Sequence, residues 1–198
     1  RDLRISGTGE MANLSSGYQP WYSIANLIKH VVIEEGVTSI GNNAFYGMDI
    51  VTVTNPSTLK TIGSTAFYRC HQLESINFPN GMTSIGNSVT GHGPFYECTN
   101  LKAIYIPASL TFINSDTFLR CYSLTSIVVD PANPKYDSRD NCNAIIETSI
   151  NKLWYGCQTT VIPDGVKTVA QFAFEYQHNL KSIRISNTVT HFETSVFK

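Results

Sequence analysis

Apolar residues recur at fixed offsets along almost the whole chain. The clearest copy is residues 101–121 (LKAIYIPASLTFINSDTFLRC), where an alternating run is followed by a proline, a second apolar pair and a Phe. Most successive copies of that Phe are separated by one basic period of about 22 residues, and no single copy can bury its apolar face alone. The pattern therefore predicts stacked structural repeats. The repeat Phe residues are Phe45, Phe67, Phe95, Phe118, Phe174 and Phe197.

Each copy predicts one short strand with two different faces. Side chains alternate across a strand, so Ile76 and Phe78 should point inward while Ser75 and Asn77 point outward. The second apolar pair is often followed by a glycine, which suits a corner with positive φ, and the closing Ala-Phe pair predicts a single helical or 3₁₀ turn. These corner glycines are Gly41, Gly63 and Gly86.

The period and the pattern together predict the fold class. A period of roughly 20–29 residues with apolar residues at L-x-x-I-x-I is typical of leucine-rich repeats, in which each unit adds a strand to a parallel sheet. We therefore expect a leucine-rich-repeat solenoid, a right-handed β/α superhelix that is mostly β, with short helical or 3₁₀ turns and a parallel sheet of about seven short strands. Residues 1–27 do not fit the repeat and are predicted to form an N-terminal cap, with the repeat array in residues 28–198.

Two spacings are longer than the period and predict insertions. The spacing from Phe67 to Phe95 includes an extra segment at 90–94. The spacing from Phe118 to Phe174 is more than twice the period and contains a turn-rich segment followed by two strand-like runs, at 144–146 and 152–155. We therefore expect a β-hairpin insertion at about residues 130–160.

Three segments resemble the BspA-like leucine-rich-repeat family of bacterial cell-surface proteins. They are residues 31–45 (VVIEEGVTSIGNNAF), 101–107 (LKAIYIP) and 136–166 (YDSRDNCNAIIETSINKLWYGCQTTVIPDGV). The resemblance extends from about Ile28 to the end of the chain and implies the same solenoid fold. It also implies a secreted or cell-surface location in a bacterium and, as for some members, adhesion to host or matrix proteins.

Composition and charge narrow the range of partners. The 198 residues include 14 basic and 15 acidic side chains without any run of like charge, so no nucleic-acid partner is expected. No apolar stretch is long enough to span a membrane, and the N-terminus lacks the pattern of a signal peptide. Because residue 1 is Arg and the last copy stops directly after Phe197, we expect a piece of a longer polypeptide whose signal and anchor lie elsewhere.

Three of the five cysteines share one repeat position. Cys70, Cys98 and Cys121 each lie three residues after the repeat Phe and should stack as a buried column of free thiols. A Cys-His nucleophile with His71 or His92 is conceivable, but the cysteine should point into the core and a loop histidine into water. The spacing typical of zinc sites is absent.

The other two cysteines leave two alternatives open. If the hairpin closes around a two-residue turn, the numbers of paired residues sum to 299 and Cys142 lies directly opposite Cys157. Opposed cysteines can come within disulfide range, so we consider both a bridge and two free thiols. No glycine-rich phosphate loop and no recurring pair of carboxylates is present, and we expect no cofactor, no metal and no catalytic residue.

The outward strand positions predict a partner-binding face. Tyr105 is the predicted anchor, because tyrosine offers a large contact area and a hydroxyl group at low entropic cost. Ser75 and Asn77 lie to one side of it and Val128 beyond it. An ordinary solvated sheet is the alternative, since exposed strands prefer Thr, Asn, Tyr and Val in any case. The predicted central column is Val32, Thr52, Asn77, Tyr105, Val128, Val161 and Arg184.

The sequence thus favours a noncatalytic binding module of a bacterial surface or secreted protein. The predicted ligand is a host or matrix protein or a glycan, bound through the sheet face in the manner of an adhesin. The alternative is a structural spacer that projects another domain of a larger surface protein.

Overall fold

The computed structural model describes residues 1–87 and 92–198, which form three sheets connected by tight turns. Five of the predicted repeat strands and one N-terminal strand form a first sheet of six strands. Four of the second apolar pairs and another N-terminal strand form a second sheet of five, and all strand pairs in both sheets are parallel. In spatial order the first sheet contains β1 (Asp2–Ile5), β3 (His30–Ile33), β5 (Thr52–Thr54), β7 (Ser75–Ile76), β9 (Ala103–Ile106) and β11 (Ser126–Val129). The second contains β2 (Gly9–Glu10), β4 (Val37–Ile40), β6 (Thr61–Ile62), β8 (Ser84–Ile85) and β10 (Phe112–Ile113).

The third sheet contains the predicted hairpin. Its strands are β12 (Tyr136–Asp137), β13 (Ala144–Glu147), β14 (Lys152–Gly156), β15 (Thr168–Val169) and β16 (His191–Phe192). The pairs β12–β13 and β13–β14 are antiparallel, whereas β14, β15 and β16 run parallel. Two 3₁₀ helices are present among the described residues, Tyr22–Leu27 and Arg139–Asn141. No helix in this part of the chain is long and apolar enough to cross a membrane.

The repeat Phe side chains form a stacked column through the core. Ring centroids are 5.1 Å apart between Phe45 and Phe67 and 5.2 Å between Phe67 and Phe95. Trp21 extends the column at its N-terminal end, with its ring 5.5 Å from that of Phe45. Aromatic pairs of this kind contribute about 0.5–1.5 kcal/mol each beyond burial of their area. Residues 1–27 therefore pack on the first repeat, while their role as a cap stays a prediction.

The turns around each repeat Phe form a further hydrogen-bond ladder along the solenoid. Backbone N–H groups of one turn donate to carbonyls of the next, as in Phe45 to Ala66 (2.7 Å) and Phe67 to Pro94 (2.9 Å). Each turn is closed by hydrogen bonds between residues three apart, as in a 3₁₀ turn; for example, the Met48 N–H donates to the Phe45 carbonyl at 3.2 Å. The turn does not continue as a helix because a residue with positive φ lies near the Phe, such as Asn43 (57°) or Arg69 (58°).

The corner glycines have two different roles. Gly86 has the predicted positive φ of 79°. Gly41 and Gly63 do not, and the prediction is wrong for these two residues. A Cβ atom on Gly41 would lie 2.1 Å from the carbonyl oxygen of Ala12, so close packing against the neighbouring segment requires glycine there.

The insertion ends the first sheet. At the outer edge of β11, two backbone N–H groups bond side chains rather than a neighbouring strand: Val129 donates to Ser138 Oγ (2.9 Å) and Ile127 to Asn143 Oδ1 (3.3 Å). Side chains of the insertion thus occupy the edge on which a seventh strand would pair. The sheet has six strands, one of them from the N-terminal segment, and residues 161–163 and 181–186 form no strand.

The core consists of two clusters that meet at the hairpin. Ile145 and Tyr155 belong to the larger cluster, whereas Ile146 and Leu153 belong to the smaller, C-terminal one. The two faces of the hairpin are therefore both buried, each against a different cluster. Tyr155 also closes the first part of the aromatic column, with its ring 5.5 Å from that of Phe118 in an edge-on arrangement.

Candidate functional site: the outward face of the first sheet

Strand register defines the central row of the outward face. Arg4 pairs with Val32 and Val32 with Thr54, while Tyr105 pairs with Val128. Between them, Ser75 pairs with Ala103, so Asn77, two residues further on, lies in line with Tyr105. These residues form the sheet-face row: Arg4, Val32, Thr54, Asn77, Tyr105 and Val128.

The register corrects three members of the predicted column. Thr52 pairs with His30 and Ser75, which places it in the neighbouring row, and Thr54 takes its predicted place. Val161 and Arg184 are exposed but lie outside the first sheet, which ends at β11. The structure therefore brings together Ser75, Asn77, Tyr105 and Val128 and leaves Arg184 apart from them.

Tyr105 is held in a defined orientation on this face. Its side chain is 45 % exposed, and its hydroxyl donates a hydrogen bond to Asp130 Oδ2 at 2.7 Å. The other carboxylate oxygen of Asp130 accepts the backbone N–H of Ala132 at 2.8 Å. The hydrogen bond between Tyr105 and Asp130 raises the pKa of the phenol and lowers the pKa of the carboxylate. The ring is thus exposed for contact while its hydroxyl is hydrogen-bonded to a neighbouring side chain.

Asn77 and Ser75 provide polar contacts beside Tyr105. Both are exposed. The Asn55 side-chain amide donates to the backbone carbonyl of Asn77 at 2.8 Å, and the Asn55 backbone N–H donates to Asn77 Oδ1 at 3.4 Å. Apart from Asp130, the outward residues next to Tyr105 carry hydroxyl, amide or small apolar groups, which a partner would meet together with the ring.

The cysteine column has the position predicted from the repeat. Cys70, Cys98 and Cys121 are buried free thiols, and each sulfur lies 3.1 to 3.3 Å from the carbonyl oxygen of the Phe one repeat earlier. Burial raises the pKa of the Cys70 and Cys121 thiols to about 12. His92 instead packs on Tyr96 in a tilted arrangement, with ring centroids 4.2 Å apart, and His71 is exposed with its Nδ1 3.5 Å from Thr99 Oγ1. Neither histidine is therefore paired with one of the buried cysteines as a Cys-His nucleophile. Residues 90 and 91 of the predicted insertion lie outside the described residues.

For Cys142 and Cys157 the sequence left both a disulfide bridge and two free thiols open. Both are buried free thiols. The pairs Glu147–Lys152 and Ile146–Leu153 follow the predicted sum of 299, but a β-bulge then shifts the register, and Ile145 pairs with Tyr155. The bulge removes the direct opposition on which the prediction depended.

A groove that the sequence analysis missed lies on another surface. In the first units, the residue after the repeat Phe is a tyrosine, and Tyr46, Tyr68 and Tyr96 stack with centroids 4.8 and 5.4 Å apart. Leu119 and Glu175 hold this position in later units. The column of rings is interrupted there by a groove of about 840 Å³, which both residues line. The sequence contains a signal for this groove, because the residue after the repeat Phe changes from Tyr in the first units to Leu and Glu in later ones.

Comparisons with known proteins agree on the family and the fold. The family described as BspA type leucine rich repeat region matches residues 21–145 and 145–198 in six copies. A leucine-rich repeat protein from Eubacterium ventriosum is 28 % identical, with a TM-score of 0.72 over 96 % of this chain and 57 % of that one. The chain thus spans little more than half of that relative's length.

Two more distant structures share the fold. A leucine rich cell surface protein from Faecalibacterium prausnitzii is 22 % identical, with a TM-score of 0.53 over 99 % of this chain and 66 % of that one. The pneumococcal vaccine antigen PcpA is 20 % identical, with a TM-score of 0.61 over 83 % of this chain and 47 % of that one. No curated protein matches the chain.

Proposed function

Because the chain belongs to the BspA type leucine rich repeat family, we propose that it is a noncatalytic recognition module of a bacterial surface or secreted protein. The module binds a host or matrix protein through the outward face of the first sheet. Its family is typical of bacterial surface proteins, and a structural relative is described as a cell surface protein.

The observation that supports this proposal is the exposed, oriented ring of Tyr105. Tyrosine is enriched among residues that dominate binding energy, and a ring held in place loses little entropy on binding. Asn77, Ser75 and Val128 surround it with hydrogen-bonding groups and a small apolar surface. An open sheet face suits a protein partner, since small molecules bind in concave sites.

An array of purified mammalian extracellular-matrix proteins tests the proposal. We expect at least one protein to be retained, with roughly 30-fold weaker binding by the Tyr105→Ala variant, the effect of losing about 2 kcal/mol at an interface hot spot. Asn77→Ala should weaken binding less. Tyr18→Ala is the matched control, because Tyr18 is 82 % exposed but lies outside the sheet-face row.

A structural spacer is the second candidate, favoured by the ladder of hydrogen bonds that connects repeat to repeat. A spacer binds nothing on the array. If wild type, Tyr105→Ala and Asn77→Ala retain a matrix protein equally well, the sheet face is not the binding surface.

A further inference from the structure

The interrupted tyrosine column creates a groove with both apolar and polar walls. Tyr96 lies at one end of it, and Leu119 and Phe172 add apolar surface. Its volume of about 840 Å³ lies within the range of ligand sites in proteins, about 300–1,000 Å³. No group of three or more His, Cys, Asp or Glu side chains within residues 1–87 and 92–198 is arranged to hold a metal ion, so the groove offers no metal site in this part of the chain.

Charges in the groove are nearly balanced. Asp116, Glu175 and Glu193 line it together with Arg120 and Lys198. Two of these carboxylates already have partners: Glu193 accepts from Lys152 Nζ at 2.7 Å, and Asp116 Oδ2 lies 3.4 Å from His92 Nδ1. A polyanion would need a surplus of cations here, and a basic peptide would need a surplus of free carboxylates. The balance favours a neutral ligand.

Glu175 and Arg120 form the polar centre of the groove. Glu175 is 8 % exposed, and its buried Oε2 atom has no hydrogen-bond partner among the described residues; the same is true of the buried Arg120 Nε. The atoms of this pair that a ligand in the groove would bond are therefore Glu175 Oε1 and Arg120 Nη2. Arg120 Nη1 donates to Glu97 Oε1 at 2.7 Å, which holds the guanidinium in place. Arg120 Nη2 lies 3.9 Å from Glu175 Oε1, close enough for one hydroxyl oxygen to bond both side chains. A hydroxyl accepts from the guanidinium and donates to the carboxylate through a single atom, which a peptide amide cannot do.

We propose that this groove is a binding site for a neutral oligosaccharide. Its hydroxyl groups bond Glu175, Arg120 and Asp116, while the C–H faces of its rings pack on Leu119 and Phe172. The site is distinct from the sheet-face row and takes a different class of ligand.

The interrupted column suggests the variant that tests the proposal. Leu119→Tyr restores the ring that earlier units carry at this position and fills the groove, and Leu119→Met is the control of similar volume. An array that carries neutral, sialylated and sulfated glycans identifies the ligand, and titration calorimetry with the best neutral oligosaccharide measures its affinity. We expect wild type and Leu119→Met to bind alike, and Leu119→Tyr and Glu175→Gln to bind at least tenfold more weakly. Tyr105→Ala should bind as wild type does.

Several outcomes would overturn the proposal. They are the absence of any retained neutral glycan, retention of charged glycans only, and equal affinity of Leu119→Tyr and wild type. Thermal unfolding distinguishes a filled groove from a misfolded variant, because Leu119→Tyr should melt within a few degrees of wild type. If Leu119→Tyr melts at a much lower temperature than wild type, the affinity of Glu175→Gln tests the proposal instead.

Discussion

Cys70, Cys98 and Cys121 illustrate how position in the repeat determines the chemistry of a side chain. A thiolate is the reactive form of cysteine, and burial in an apolar column disfavours it. With a pKa of about 12, the Cys70 thiol is almost entirely protonated at pH 8. These residues therefore fill space in the core.

Thiol alkylation should reveal this difference between the folded and the unfolded chain. We expect iodoacetamide at pH 8 to leave all five cysteines of the folded protein unmodified, because all five are buried. After unfolding without reductant, all five should be modified, as measured by intact mass. A sample reduced before unfolding is the control, and a difference of two labels between the samples would indicate a disulfide after all.

The sheet-face row shows what single residues in a sequence can and cannot predict. Alternation correctly predicted that Ser75, Asn77, Tyr105 and Val128 are exposed, because period two needs no knowledge of the neighbours. It could not separate Thr52 from Thr54, since both point outward and only pairing with the adjacent strands decides which row each belongs to.

Among the elements, the insertion has the largest effect on architecture. The hairpin was predictable from two strand-like runs around a turn. Its bulge and its hydrogen bonds from Ser138 and Asn143 to β11 were not predictable. They depend on contacts between segments of the folded structure, which leave no periodic pattern in the sequence. The strands predicted around Val161 and Arg184 are absent for the same reason.

Removal of the Ser138 hydroxyl tests its role at this edge. In Ser138→Ala the Val129 N–H loses its partner, a change that costs about 1–3 kcal/mol for a buried group and accelerates exchange roughly five- to 150-fold. Hydrogen exchange of the Val129 amide measures the effect. Ser126→Ala, in the same strand, is the control and should leave this amide unchanged. Equal protection in both variants would mean that another group covers the edge.

At the scale of the whole molecule, the two core clusters predict two regions of different stability. The C-terminal cluster is smaller, and the end of the aromatic column at Phe197 is 50 % exposed. In repeat proteins, stability is approximately a sum over units and their neighbouring interfaces. A substitution that destabilises the C-terminal cluster should therefore lower the stability of that cluster more than the stability of the larger one.

Phe174→Ala should separate the unfolding of the two regions. Phe174 is 2 % exposed, and loss of its ring should destabilise its cluster by about 3–5 kcal/mol. The two tryptophans report different places, since Trp21 stacks on Phe45 and Trp154 lies in the hairpin. Adding Trp21→Phe or Trp154→Phe to this variant leaves one tryptophan in each protein. We expect the fluorescence of Trp154 to give a lower urea midpoint of unfolding than the fluorescence of Trp21. Coincident transitions would mean that the hairpin couples both clusters into one unit.

The ladder of bonds between successive turns has a mechanical consequence. Each repeat is bonded to its immediate neighbours, so a force applied along the solenoid loads one interface at a time. Release of one repeat of about 22 residues would add roughly 75 Å of extended chain, at about 3.4 Å per residue. A cell attached through such a chain would be held by a tether that lengthens stepwise under flow before its attachment breaks.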